Sequence, residues 1–292
     1  MEENKIISYK GFDKNMQCRG FQYEVGKEYE MDGNIKCCER GYHACESPME
    51  VWDYYDMLTS RFAKVVQSGK IDKKEGSTKV CSSKIKIAAE LKLGDIIKLG
   101  IEWIKDVTSP SKIKSTVRLD DNGGYSAQIG SSGNSAQIGS SGDSAKIGSS
   151  GDSAKIGSSG NYAQIGSSGN SAQIGSSGYS AKIGSCGNSA QIGSSGNSAK
   201  IGSSGDYAQI GSSGDSAQID STGEDSVIMC AGNYSKVRAK VGSWITLAEW
   251  VHDDNKERYV PKCVKTEYVD GERIKANTWY QLKDGEFIEV NE

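Results

Sequence analysis

One feature limits what this chain can fold into more than any other. A nine-residue unit, Gly-Ser-Ser-Gly-(Asn/Asp/Tyr)-(Ser/Tyr)-Ala-(Gln/Lys)-Ile, repeats almost without a fault from Tyr125 to Ile219. A unit this short cannot bury an apolar face alone, so near-identity at a fixed period implies neighbours stacked into a common core. The eleven repeat isoleucines run from Ile129 to Ile219, and each follows an Ala by two residues. That spacing is the two-residue period of a strand. The Gly-Ser-Ser-Gly segment is expected to supply a permissive backbone for a corner. A closed nine-residue coil would have a perimeter of roughly 30 Å, too tight for an Ile side chain inside. Two units per coil is the smaller sufficient solution, with Ala and Ile inward and Ser and Gln/Lys outward. Eleven units then make five and a half coils, about 26 Å of parallel strands at ~4.8 Å spacing. A flexible linker would not hold Ala and Ile at constant offsets eleven times.

Beyond Ile219 the pattern loosens through Ser226-Val227-Ile228-Met229 and Ser235-Lys236-Val237, as in a terminal coil, and is expected to end near Val241. The flanks carry Trp, Tyr, Cys and mixed charge, unlike the Gly/Ser/Ala/Ile middle. Three parts follow: an α+β module over 1–118, a β-solenoid over 119–241, and a small antiparallel β domain over 242–292. The formal net charge is −3, which removes the basic surplus that marks nucleic-acid binding. Five Asp against four Lys between Asp121 and Ile219 likewise disfavour an acidic mimic of DNA. The first residues lack the apolar region of a secretory signal and no run of 18 apolar residues occurs. A cytoplasmic protein with reduced cysteines and no membrane association is expected.

The unit resembles the Gly-Gly-x-Gly-x-Asp-x-U-x nonapeptide of calcium-binding β-rolls, which also use two units per coil. Here Ser or Tyr occupies the Asp position, and Asp143, Asp152, Asp206 and Asp215 stand one place early, alternating with Asn and Tyr. The repeated oxygen cage that Ca²⁺ needs is missing, so neither metal nor cofactor is expected. Asn-Ser-Ala-Gln-Ile-Gly also looks like the Ser-Val-Ala-Ile-Gly signature of trimeric autotransporter heads, but that family has longer coils and a secretion signal.

In the N-terminal part, Ile6–Tyr9, Phe21–Val25, Phe62–Gln67 and Lys84–Ala89 read as strands. Ser47-Pro48-Met49-Glu50 reads as a helix start with a capping box, and Leu93–Val107 has helical apolar spacing. Cys18, Cys37, Cys38, His43 and Cys45 cluster without zinc-type spacing, and His43 has no identifiable orienting partner for a Cys/His nucleophile. The segments Tyr9-Lys10-Gly11-Phe12, Cys18 to Gly26, Gly41-Tyr42-His43-Ala44-Cys45 and Trp52-Asp53-Tyr54-Tyr55 resemble an uncharacterised domain common in bacteriophage and prophage proteins. The resemblance covers about residues 4–107 and implies a phage or prophage origin without carrying over any catalytic residue. The Tyr-Lys-Gly strand, Gly-Tyr-His-Ala-Cys and the following helix are also faintly similar to the core of ADP-ribosyltransferase-like folds. That likeness implies a nicotinamide dinucleotide or other nucleotide ligand, with Arg19 and His43 as ligand contacts.

The C-terminal part has two Asp-Gly turns, at Asp270-Gly271 and Asp284-Gly285, and Trp244, Trp250 and Trp279 are expected to pack over the last coil. The leading functional expectation is a non-enzymatic phage-encoded protein that binds a protein partner, with the solenoid as spacer or docking surface and an accessory role against a host factor as its extension. Candidate contacts are Tyr162 and Tyr207, on opposite faces, with Lys146, Lys155, Lys182 and Lys200 in the outward rows. The alternatives are a virion or tail-associated structural protein and an enzyme or nucleotide binder in the N-terminal module. A homo-oligomer is compatible with each.

Overall fold

The structure, a computed structural model, describes residues 5–74, 77–108 and 126–291. The expected boundary at 118/119 and the first repeat residue, Tyr125, lie outside the described residues. The chain divides into two compact units, Met1–Trp103 and Ile104–Glu292.

The second unit is the solenoid and its C-terminal sheet. Thirteen four-residue strands, β8 (Gln128–Ser131) through β20 (Lys236–Ala239), follow one another at the repeat spacing. Lys146 pairs in parallel with Gln128 and Gln164, and Lys155 with Gln137 and Gln173, so each strand neighbours the one eighteen residues away. Even-numbered strands form one sheet and odd-numbered strands the other. β21 (Trp244–Asp253) extends the second sheet in parallel beside β19 (Val227–Cys230), giving about seven turns. Ile147, Ile165, Ile183, Ile201 and Ile219 are fully buried, as are Ala145 to Ala199 at their repeat position.

Two expectations about the corner are corrected. Its glycines do not supply a left-handed backbone. The left-handed residue is the sixth of the unit, for example Ser144 (φ 56°), Tyr162 (φ 57°) and Tyr207 (φ 58°). The second glycine is needed for closeness instead: a Cβ on Gly178 would overlap the Gly160 carbonyl one coil away, and Gly160 stands in the same relation to Gly142. Nor do all serines face outward. From Ser140 onward the serine that ends each strand is buried, fully so at Ser167, Ser185 and Ser203, and Cys230, Ala239 and Leu247 replace it in the last turns. This is the inward slot two residues after Ile, where a small side chain completes the thin core.

The fifth residue explains the Asn/Asp preference. Asn134 Oδ1 accepts the Asp152 backbone N–H at 3.0 Å, Asp152 Oδ1 accepts that of Asn170 at 2.7 Å, and Asn170 Oδ1 that of Asn188 at 2.9 Å. The same ladder climbs the opposite corner through Asp143, Asn161 and Tyr179. Each carboxylate or amide oxygen therefore satisfies a corner N–H that no strand can pair.

β21 turns back into β22 (Arg258–Tyr268) as an antiparallel hairpin, and β23 (Tyr280–Lys283) with β24 (Glu286–Glu289) closes the other sheet against β20. Trp250 Nε1 donates to the Ala231 carbonyl at 2.8 Å, and buried Trp279 lies under Lys236 and Arg238, both 4.8 Å from its ring. Trp244 departs from expectation: it stands outward, half exposed, against Tyr268. Glu249 accepts from Lys262 Nζ at 2.7 Å and the Gly285 N–H at 2.8 Å, and these donors pull its carboxyl down to about 2.

The N-terminal unit is built on a five-stranded antiparallel sheet. Its long hairpin, β6 (Arg61–Lys73) and β7 (Lys79–Leu91), is joined by β1 (Ile6–Phe12) along β6 and by β5 (Tyr42–Cys45) and β4 (Glu28–Glu30) along β7. β1 also meets β5 at Tyr9 and Cys45, so four of the strands close on themselves. Helix α1 (Leu93–Val107) forms where its spacing predicts, and of its residues within this unit Ile96, Ile97 and Ile101 are buried. Residues 21–25 are not one strand: β2 (Gln17–Cys18) and β3 (Phe21–Gln22) make a short hairpin. The capping box does not form either. Met49–Asp53 is a 3₁₀ turn without a side-chain cap, because Glu50 is buried and accepts from Ser77 Oγ at 2.7 Å and Thr78 Oγ1 at 2.9 Å.

The two glycine roles give opposite substitution outcomes. Gly178→Ala is expected to lose about 1–3 kcal/mol, as overpacking does. Gly175→Ala, whose Cβ meets open space, should stay within about 0.5 kcal/mol of the parent. Denaturant unfolding of the two variants checks this.

Candidate functional site

A pocket of about 380 Å³ opens within the N-terminal unit, lined from β1, β5, the β2–β3 hairpin and the Tyr54-Tyr55 segment. Its size falls within the roughly 300–1,000 Å³ range of small-molecule sites. Lys10, Arg19, His43 and Lys79 line it, and among the described residues no Asp or Glu does. The sequence-predicted residues Arg19 and His43 are thus brought to one cavity, together with Cys18, Cys38 and Cys45 of the thiol cluster. Cys37 lies outside the lining; its backbone N–H bonds Asp72 at 2.7 Å. Among the described residues no group of His, Cys, Asp and Glu is arranged to hold a metal ion.

Lys10 was not singled out from the sequence, and it sits at the centre of the geometry. β1 carries it between Tyr9 and Gly11, where a Cβ on Gly11 would overlap the Tyr55 ring. The missing side chain lets Tyr55 lie flat on the strand and close one wall. Lys10 is only 5% exposed. Its Nζ donates to the His43 carbonyl at 3.0 Å and to Cys18 Sγ at 3.5 Å, and lies 5.5 Å and 5.6 Å from the Phe12 and Tyr23 rings. Cys18 Sγ and Tyr55 OH share a 2.8 Å hydrogen bond. Burial pushes the Lys10 ammonium below its ordinary value; Cys18 opposes that shift and Arg19 adds to it.

His43 has a structural task. Its Nε2 accepts the Cys38 backbone N–H at 2.9 Å, holding Cys38 in a left-handed conformation (φ 72°) at the pocket rim. The ring nitrogen that a general base would offer is occupied, and burial together with Lys10 lowers the pKa of the imidazole. Arg19 occupies the first position of the two-residue Arg19-Gly20 turn of the β2–β3 hairpin, with φ of 52° and 77°. Positive φ at both positions is the twist-matched geometry of tight hairpins, and it presents Arg19 exposed at the mouth. Phe21 and Tyr54 are also part exposed there, and Lys79 Nζ lies 3.9 Å over the Tyr54 ring.

On the solenoid, the candidate contact residues separate. Lys146, Lys182 and Lys200 belong to the first sheet, half-buried and engaged by neighbours. Burial, then the charge of Lys236, lowers the Lys200 pKa. Lys155 stands exposed on the second sheet in a row with Gln137, Gln173, Gln191 and Gln209. Beside that row runs a line of glycines, Gly139, Gly157, Gly175, Gly193 and Gly211, each with open space where a Cβ would be. Together they form a shallow trough of about 1130 Å³ that ends at Val227 and Met229. Tyr162 and Tyr207 sit in corners leading to different sheets, both more than half exposed, and Tyr162 packs edge-on against Tyr179 at 5.7 Å.

Residues 6–99 match a family model described as a domain of unknown function (DUF7666). That span contains the whole pocket. No curated protein and no solved structure gives a significant match. No helix among the described residues is long and apolar enough to cross a membrane.

The His43 bond sets a pH response. Its folded pKa lies below the ordinary 6.5, so unfolding takes up a proton in the window beneath that value. The stability that neutral His43 confers is complete above pH 6.5 and is lost as pH falls through that window. Thermal unfolding should therefore show a shallower decline between pH 6.5 and 5 for His43→Gln than for the parent, and equal slopes would contradict the assignment.

Proposed function

We propose that this is a non-enzymatic binding protein whose solenoid is a scaffold and docking surface for a protein partner. The observation that carries the reading is the open trough of the second sheet: flat, continuous over successive coils, and edged by Gln and Lys side chains. A ladder of coils pairing each strand from β10 to β20 with two neighbours resists deformation, so the surface is pre-organised and costs little ordering on binding. Val227, Met229 and Trp244 add exposed apolar surface at one end, of the kind that anchors protein interfaces. His43 supports binding over catalysis, because its acceptor nitrogen is already used.

A phage or prophage origin, and with it an accessory role against a host factor, rests on the resemblance of the N-terminal segments alone. A virion-associated role remains the competing structural reading, for which recovery of virion proteins alone would speak. The pocket favours a second reading, in which the N-terminal module itself takes a small ligand.

The docking reading is tested by filling the trough. Gly175→Arg with Gly193→Arg places two long side chains on the open face without touching the core. The doubly substituted chain should keep its unfolding midpoint within a few degrees and lose tenfold or more of its affinity for a partner captured by the parent. Unchanged affinity would remove the trough from the interface.

A further inference from the structure

We propose that the N-terminal pocket binds a small ring phosphate of the nucleoside monophosphate class, its phosphate held by Lys10 and Arg19 and its ring lodged against Phe21 and Tyr54. This inference is independent of any partner on the solenoid.

The argument begins with charge. Four cationic or basic side chains line the cavity, and among the described residues no lining carboxylate balances them. Lys10 is the most telling. A buried ammonium is costly unless it is paired, and its present partners are a carbonyl, a thiol and two ring faces. Arg19 is near enough to disfavour the charged forms of both Lys10 and His43. An anion entering the cavity would reverse that repulsion, forming charge-assisted hydrogen bonds to an ammonium and a guanidinium at once. Arg19 is well placed to close over such a group, since its tight turn fixes the backbone while its side chain stays exposed.

The walls then select the rest of the ligand. Tyr23 and Tyr42 are buried and their rings are committed to an aromatic cluster with Phe12, Phe21 and Tyr29. Phe21, at the rim of that cluster, and Tyr54, which has Lys79 Nζ over its ring, still keep 45% and 47% of their surface exposed at the cavity. Aromatic faces of this kind stack flat heterocycles with little preference among bases. A volume of about 380 Å³ lies near the lower limit for small-molecule sites, which favours one ring and one phosphate over a dinucleotide.

Titration calorimetry on the full chain tests this, using AMP, GMP, CMP and UMP, with adenosine and inorganic phosphate as partial probes. At least one monophosphate should bind saturably with Kd below about 1 mM. Adenosine and inorganic phosphate should each bind at least tenfold more weakly than that monophosphate. Arg19→Gln, at an exposed turn position, should weaken binding tenfold or more while leaving the circular dichroism and unfolding midpoint unchanged. Lys10→Met should abolish binding, and the Arg19 variant decides the matter if the Lys10 variant fails to fold. The proposal is overturned if no monophosphate binds up to 1 mM, if either partial probe binds as tightly as the monophosphate, or if a folded Arg19→Gln chain keeps the parent affinity.

Discussion

The close stacking of one coil upon the next is the constraint from which the repeat region follows. Strand pairing every eighteen residues brings corner backbones so near that only glycine fits at the second glycine position, as Gly178 over Gly160 shows. The same closeness puts each Asn or Asp oxygen within reach of the N–H one coil on, for example Asp143 on Asn161 at 2.7 Å. Corner hydrogen bonds, strand ladders and the Ile column are then all satisfied by one register. The conservation of the unit along the chain is thereby explained position by position. Where the outward glycine touches nothing, as at Gly211 of the second sheet, the chain does accept another residue: Met229 takes that place on the next strand.

Much of this was legible in the sequence because period-two alternation and a perimeter argument leave few solutions. Two units per coil, the inward Ile and Ala, and the exposed Gln/Lys row of the second sheet follow from spacing, whereas in the first sheet Gln164 is buried and Lys146, Lys182 and Lys200 are half-buried. The buried serines were hidden, since a hydroxyl reads as an outward group and only the thin core makes room for it at Ser185 or Ser203. The Asn/Asp ladder was also hidden, because its acceptor and donor are eighteen residues apart. Replacement of Ser by Cys230 and Ala239 at the strand end was the available signal for the first of these.

The N-terminal module was harder to read because its site is assembled by tertiary approach. Arg19 and His43 could be named from the sequence, yet Lys10 could not, since a lysine beside a tyrosine in a strand ordinarily reads as solvated. Its burial depends on Tyr55 lying over Gly11 and on strands β1 and β5 meeting only at Tyr9 and Cys45. Glu50 illustrates the same limit from the other side: a capping-box pattern lost to the hydroxyls of Ser77 and Thr78, which come from a distant strand end. Local patterns prevailed in the repeat, where strand pairing and corner bonds are with copies of the same unit, and were overridden where contacts are between unlike segments.

The central claim is that neighbours in space are eighteen residues apart and that residues nine apart face away from each other. Double-mutant cycles in denaturant test it directly. Gln173→Glu with Gln191→Lys pairs opposite charges on adjacent strands of the second sheet, and the cycle should show a favourable coupling of about 0.2–1 kcal/mol. Gln173→Glu with Lys182→Gln spans half that interval, on strands of different sheets, and its coupling should be close to zero. Coupling in the nine-residue cycle and none in the eighteen-residue cycle would contradict two repeats per coil.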